Sequence, residues 1–324
     1  MPNILEQSIK VRRIWGAFRQ ARVLLTANNY MVFDHLEQPR SSIAIAKKLK
    51  TDPRATGILL DALAGLGFLK KQSNKYQNTN LASQFLVSGR PHYQGHIMRH
   101  AETLWQNWSA LDEIVKTGKP GRKAHDHEAF ILGMHDLALL KVNKVLKAIG
   151  LKGVETALDL GGGPGTYSIE MAKKGVKVTL FDRPETVKIA KKIVNNAPQP
   201  PLNLRGGVKF IQGDYIHDEI GNGYDLILAS QIVHANSEKD NIILLKKCKK
   251  ALNKNGRIVI QEFQISKDLT QPPNSSLFSV NMLVNTDEGR CYSPEEMKKW
   301  LLKMGMRDIK EKALDDSALI SGTK

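Results

Sequence analysis

The sequence has almost no cysteine. Cys248 and Cys291 are the only two in 324 residues, which excludes a disulfide scaffold and leaves two reduced thiols as the expectation. Long apolar runs are also missing: nothing approaches the roughly 20 apolar residues of a membrane-spanning helix. The opening MPNILEQSIKVRRIWGAF interrupts its apolar residues with charges and lacks the continuous core of a secretory signal. A cytoplasmic chain with no membrane span is expected. No His/Cys/Asp cluster has metal-ligand spacing, so no metal is expected. The first hundred residues are short of acid, with 5 Asp and Glu against 15 Lys and Arg. They carry most of the formal net charge of +16. A basic face can attract nucleic acid, acidic lipid or an anionic substrate; the plainer reading is a solvated lysine-rich surface.

What is present reads as a folded α/β chain, 41% hydrophobic and 25% charged. Residues 1–100 alternate helical patterns with one hairpin. Ile14–Leu36 has apolar residues at helical spacing. SSIAIAKKL offers Ser41 or Ser42 as an N-cap. In TDPRATGILLDALAGLGFL, Asp52 caps, Pro53 occupies the first turn and Gly67 stops the helix. FLKKQSNKYQN then reads as strand, turn, strand, completing a winged-helix pattern. A helical connector fills 101–150. From 151 to 324 strands and helices alternate: ETALDL, VKVTLFD, VKFIQGD, YDLILASQIV and GRIVIQEF are strand candidates, and MRDIKEKAL with SALISGT a closing hairpin. Such alternation predicts a Rossmann-like doubly wound sheet with helices on both faces. NNAPQPPLNLRGG and SKDLTQPPNSS read as loops.

The chemistry concentrates behind ETALDL, in GGGPGTYS. Gly161, Gly163 and Gly165 bare the backbone between a strand and a helix N-terminus. Asp182 ends the next strand, where a carboxylate can accept both hydroxyls of a ribose. The dinucleotide spacing G-x-G-x-x-G is not met, nor is G-x-x-x-x-G-K-[ST] present. Asp159, ahead of the loop, suits a ligand bearing positive charge rather than a pyrophosphate. S-adenosylmethionine (SAM) has a ribose, a sulfonium and an ammonium, and no phosphate.

LDLGGGPGTYS, LFDRPE, GDY, SQIVHANSEKDNIILLKKCKKAL and NMLVNTDEGRCYSPEEMKKWL together resemble the SAM-dependent O-methyltransferases of the caffeate and acetylserotonin (hydroxyindole) type. The winged helix, LWQNWSALDEIVKTG and AFILGMH are similar to the same family in the same order. The resemblance implies a dimerisation domain at 1–100, a pocket-lining connector at 101–150 and a SAM domain at 151–324. It implies a homodimer through the first domain and a small acceptor: aromatic, polyketide or tetrapyrrole-like, methylated on oxygen or carbon.

The resemblance also distributes roles. Asp159, Gly161, Gly163 and Gly165 would hold the methionine part of SAM, Asp182 the ribose, and Asp214 and Tyr215 the adenine. Ser230 stands where plant members carry a lysine. His234 falls on the general base; a neutral imidazole suits removal of a hydroxyl proton during in-line attack on the SAM methyl. Trp105, Met134, Asn281, Met282 and Asn285 would line the acceptor pocket. Plant members orient the base with two glutamates; Cys291 and Ser321 are expected at those positions, which removes the orienting carboxylates. His125, His127 and His135 lie in the connector and could line a pocket; packing or facing solvent is the first expectation for each. No nucleic-acid partner is expected: the candidate recognition helix has only Arg54 as a cation, and no N-P-P-Y-type motif follows the fourth strand.

Overall fold

The computed structural model describes residues 3–121, 124–196 and 207–324. The chain divides into two compact units, Met1–Glu102 and Thr103–Lys324.

In the first unit α1 (Ile4–Gly16) and α2 (Phe18–Asn29) precede a 3-10 turn, Val32–His35. The helical pattern expected to run unbroken from Ile14 to Leu36 is therefore interrupted twice. Gly16 is a weak helix former, and Met31 adopts φ 52°, which ends the second segment. After the short strand β1 (Arg40–Ser41) come α3 (Ser42–Leu49) and α4 (Pro53–Gly65), then the hairpin β2 (Leu69–Gln72) and β3 (Lys75–Asn78). Ser41 caps α3, accepting from the Ala44 N–H at 3.3 Å. Asp52 caps α4, accepting from the Ala55 N–H at 2.7 Å. Ser73 and Asn74 take the left-handed conformations of a two-residue hairpin turn. Phe33, Leu36, Ile45, Leu60, Leu63 and Leu69 form the core. After α5 (Asn80–Phe85), α6 (Gly95–Trp108) carries the chain across the boundary.

The second unit begins with α7 (Leu111–Thr117), α8 (His127–Leu139) and α9 (Val142–Ile149). Then β4 (Thr156–Leu160), α10 (Thr166–Lys173), β5 (Lys177–Asp182), α11 (Pro184–Asn196), β6 (Val208–Gln212) and β7 (Tyr224–Ser230) follow in alternation. The chain closes with α12 (Glu238–Ala251), β8 (Leu252–Phe263), α13 (Pro273–Asn285), α14 (Pro294–Lys303), β9 (Arg307–Leu314) and β10 (Ser317–Thr323). The sheet order is β6-β5-β4-β7-β8-β10-β9. Five strands are parallel, and the terminal hairpin adds two antiparallel ones. The strand order reverses between β4 and β7, and ligands bind at such a switch point.

Alternation along β7 sorts the two faces. Leu226 and Leu228 pack with Val145, Leu146, Ile149 and Met171. Ile227 and Ala229 pack with Leu244, Ile258, Ile260 and Trp300 on the other side. The strand expected through Val233 stops at Ser230, because Gln231 is left-handed at φ 55°. The loop expected through Ser276 also ends early: Pro273 opens α13, where its missing N–H costs nothing. Residues 197–206 of the Pro-rich loop lie outside the described residues. Cys248 and Cys291 are both buried and unpaired. Among the described residues no helix is long and apolar enough to cross a membrane.

Candidate active site

The site lies along the carboxyl edge of the parallel strands. The glycine loop leaves β4 and turns into α10. Gly161, Gly163 and Gly165 all have positive φ, at 62°, 54° and 78°. Gly162 matters for a different reason: a Cβ there would lie 2.8 Å from Leu180 and 2.9 Å from the Asp159 carboxyl carbon. Gly163 has nothing within 4 Å of its Cβ position, so the loop is open on that side.

Asp159 sits beneath the loop, 1% exposed. Its Oδ2 accepts from the Ser168 N–H at 3.1 Å and the Ser168 hydroxyl at 2.6 Å. Its Oδ1 has no hydrogen-bond partner. Burial pushes the carboxyl up to about 6, with the Ser168 bonds pulling the other way. A buried acceptor without a donor is costly, and a cation delivered by a ligand would relieve it.

Asp182, at the end of β5, accepts from the Gly163 N–H at 2.8 Å and the Arg183 N–H at 2.7 Å. Burial raises its carboxyl above the ordinary value; these two bonds and the nearby Thr186 hydroxyl oppose the rise. Asp214 accepts from the Ile216 N–H at 2.7 Å. Burial pushes it upward, but the Ile216 and His217 donors outweigh burial and hold it below the usual range. Tyr215 donates to Asn236 at 3.3 Å, and its ring passes 3.6 Å from the Gly161 Cβ position. Ser230 is engaged elsewhere: its hydroxyl lies 3.0 Å from the Gln261 side-chain oxygen on the neighbouring strand.

His234 occupies a 3-10 turn, Val233–Ala235, rather than a strand. Its Nδ1 lies 2.8 Å from Oε2 of Glu262. The other oxygen of Glu262 accepts from the backbone N–H groups of Val233 at 3.0 Å and His234 at 3.3 Å. A carboxylate so used accepts from Nδ1–H, which fixes the tautomer and leaves Nε2 as the ring's lone pair. Phe278 meets the imidazole edge-on at 4.9 Å, and Phe263 stacks against Phe278 at 4.2 Å.

Glu262 corrects the expectation that His234 lacks an orienting carboxylate. Cys291 does not replace one at Nδ1: its thiol donates to the Ser275 carbonyl at 3.2 Å. Ser321 stands opposite Val259 within the sheet. The signal for Glu262 was in the sequence. Ile258, Ile260 and Glu262 alternate along one strand, and a carboxylate in an apolar row demands a partner.

Other motif residues converge on the same turn. A Cβ on Gly289 would strike the His234 carbonyl, so the chain passes there only as glycine. Tyr292 donates to the Asn236 carbonyl at 2.8 Å. Of the residues expected to line the acceptor pocket, Asn281 accepts from the Trp108 indole at 2.9 Å, and Asn285 accepts from Asn107 at 2.9 Å. Both amides thus tie α13 to the end of α6. Met282 is buried at 7% exposure, whereas Trp105 and Met134 are half-buried. Among the described residues no group of three or more His, Cys, Asp or Glu could hold a metal ion.

A model of the O-methyltransferase domain matches residues 115–307. A model of the O-methyltransferase dimerisation domain matches residues 13–88. The chain belongs to the O-methyltransferase family. It is 29% identical over 279 residues to the 3-hydroxy-5-methyl-1-naphthoate 3-O-methyltransferase of Streptomyces sahachiroi, covering 82% of this chain and 79% of that one. It is also 29% identical over 321 residues to the acetylserotonin O-methyltransferase of Gallus gallus, covering 91% and 90%. The human N-acetylserotonin methyltransferase in complex with SAM superposes with a TM-score of 0.88 at 25% identity, over 98% of this chain and 97% of that one. An O-methyltransferase family protein from Burkholderia thailandensis shares the fold, with a TM-score of 0.87 at 24% identity over 98% of each chain. As a SAM-dependent O-methyltransferase of small molecules, the chain requires a site for a cationic nucleoside. The orphaned oxygen of Asp159, the open face at Gly163 and the carboxylate of Asp182 fit that group.

Proposed function

We propose that His234 takes the proton from the hydroxyl of a small acceptor while the methyl group is transferred. The observation that carries this reading is the buried Glu262 bond to Nδ1, which leaves Nε2 free to accept. SAM supplies an electrophilic methyl group. Asp159 with Gly161, Gly163 and Gly165 receives its methionine end, Asp182 its ribose, and Asp214 with Tyr215 its adenine. Ser230 keeps its bond to Gln261 and borders the site without a cation. Asn281 and Asn285 brace the acceptor wall through Trp108 and Asn107. Trp105, Met134 and Met282 supply apolar surface, and Phe263 and Phe278 close it beside His234. A flat aromatic, polyketide or tetrapyrrole-like hydroxyl compound fits walls of this kind. The relatives named for naphthoate and acetylserotonin methylation support the aromatic end of that range.

The first test is calorimetric titration of S-adenosylhomocysteine (SAH) into wild type and Asp182→Ala. The wild type is expected to bind at micromolar level. Losing a charged acceptor of two hydroxyls weakens binding by about tenfold to a hundredfold. Equal affinity in both proteins would remove Asp182 from the ribose role.

The same reading assigns residues 1–100 to dimerisation, 101–150 to the acceptor wall and 151–324 to cofactor binding. In α1 no residue is buried. Val11, Ile14, Trp15 and Phe18 are 51–72% exposed, a patch of the kind that covers itself with a second copy. Ile14→Glu with Trp15→Glu is expected to convert a dimer into a monomer by light scattering, with SAH affinity retained. A double variant that stays dimeric would place the interface elsewhere.

A further inference from the structure

We propose that Asn236 is a positioning residue that couples the adenine side of the cofactor site to the turn carrying His234. The inference rests on the reading of Tyr215 as the adenine neighbour.

The two sides meet at Gly161. A Cβ there would stand 2.7 Å from the Ile232 Cγ2 and 3.6 Å from the Tyr215 ring. The glycine loop, the adenine-side ring and the start of the His234 turn thus share one point of contact. Beyond it the link is polar, and valence fixes its direction. The Nδ2 of Asn236 lies 3.1 Å from the Ile232 carbonyl, which can only accept, and 3.2 Å from Oδ1 of Asn241. Both amide hydrogens are then used, so Oδ1 of Asn236 faces the Tyr215 hydroxyl at 3.3 Å. Asn241 is fully buried and donates in turn to the Val233 carbonyl at 2.8 Å. The carbonyls of Ile232 and Val233 belong to the peptide units whose N–H ends, on Val233 and His234, bind Glu262. The same two units are therefore held from both sides: by Glu262 through N–H, and by Asn236 and Asn241 through C=O.

Tyr215 is held at its other end. Lys247 of α12 donates to the carbonyls of Tyr215 at 2.9 Å, Ile216 at 3.1 Å and Asp218. Burial raises the Tyr215 phenol above its ordinary value, so the hydroxyl remains a donor near neutral pH. With the backbone pinned, adenine packing against the ring acts on its hydroxyl end. That end makes the longest of these bonds to the turn, the one most easily altered. Asn236 passes the change to the two peptide units in front of the imidazole, without itself meeting a reacting atom.

The test reads the His234 imidazole by nitrogen-15 NMR, without SAH and at saturation, the signals being those that His234→Ala loses. In the wild type SAH is expected to shift them. Tyr215→Phe keeps the ring and loses the hydroxyl; Asn236→Leu keeps the bulk and loses the amide. Each is expected to cut the SAH-induced shift to about half or less, and Asn236→Leu to keep SAH affinity within about twofold. The double variant should cut the shift no further than Asn236→Leu alone, the mark of a shared path. An Asn236 that served the fold alone would move the SAH-free signals and leave the SAH-induced shift intact in both variants. That result overturns the proposal, as does a wild type whose imidazole signals ignore SAH. Tyr215→Ala, titrated alongside, separates the layers. If it binds SAH as well as the wild type, the adenine reading fails and the coupling with it. If it binds about tenfold more weakly while the other two variants keep the full shift, only the coupling fails.

Discussion

His234→Ala lowers kcat by about a hundredfold to ten-thousandfold and leaves SAH affinity within about twofold of wild type. The separation follows from where the ring sits. His234 stands in a turn after β7, held to Glu262 on one nitrogen and bordered by Phe278, and has no hydrogen bond to Asp159 or Asp182. Glu262→Gln is expected to be nearly as damaging. Two backbone N–H groups, from Val233 and His234, need an acceptor oxygen at 262. The amide of glutamine satisfies them with its oxygen, so its NH2 faces Nδ1. The ring must then accept at Nδ1 and carry its proton on Nε2, the wrong tautomer for a base. Because both changes remove one function, the double variant should lose little more than either alone. Methyl transfer from labelled SAM to any hydroxyl acceptor that is turned over measures the rates. Nitrogen-15 spectra of the imidazole report the tautomer without an acceptor. Full activity in Glu262→Gln with the tautomer unchanged would dismiss the assignment.

Asp159→Asn makes the ligand-free protein more stable at pH 8 and weaker toward SAH. Burial raises the Asp159 carboxyl from 3.8 to about 6 in the folded chain. Between those values the folded state holds a proton that the unfolded chain has released. Stability therefore falls as pH rises through that window and stays reduced above it. The gap is worth up to about 3 kcal/mol, at about 1.4 kcal/mol per pH unit. Asparagine has no proton to lose and can still accept from Ser168. Urea unfolding of both proteins at pH 8 and at pH 4 checks the sign: the variant's advantage should be large at the first and absent at the second. SAH affinity should drop about tenfold or more, because the amide keeps its one oxygen on Ser168 and turns an NH2, in place of a charged oxygen, toward the cation. A variant less stable by the same amount at both pH values would mean that the carboxyl matters for packing alone.

Local spacing made part of this legible. Asp159, the glycine loop and Asp182 lie within one strand-loop-helix-strand stretch, and their order already implied a nucleoside-like cation. Asp52 with Pro53, and the Ser-Asn turn of the hairpin, were similarly self-contained. What escaped was set by contacts between distant segments. Glu262 is 28 residues from His234, and nothing in either neighbourhood names the other. Asn107 meets Asn285 across 178 residues, and nothing near either asparagine names the other. The end of β7 depended on one backbone angle, at Gln231, and an apolar run carries no trace of that. His127 meets Thr186 at 3.1 Å from another helix, a contact that neither segment shows by itself.

One carboxylate at 262 closes the turn that carries His234, and it also orients the imidazole. Folding and chemistry therefore place different demands on neighbouring positions. The fold needs an acceptor oxygen on an arm of this length, which only glutamate or glutamine provides, whereas at 234 it needs a side chain that fills the space beside Phe278 but no ring nitrogen. In a lineage that abandoned methyl transfer, position 234 would drift among side chains that fill the same space while position 262 stayed frozen to those two residues. A frozen 262 beside a vanished histidine would mark a descendant that kept the architecture after giving up the reaction.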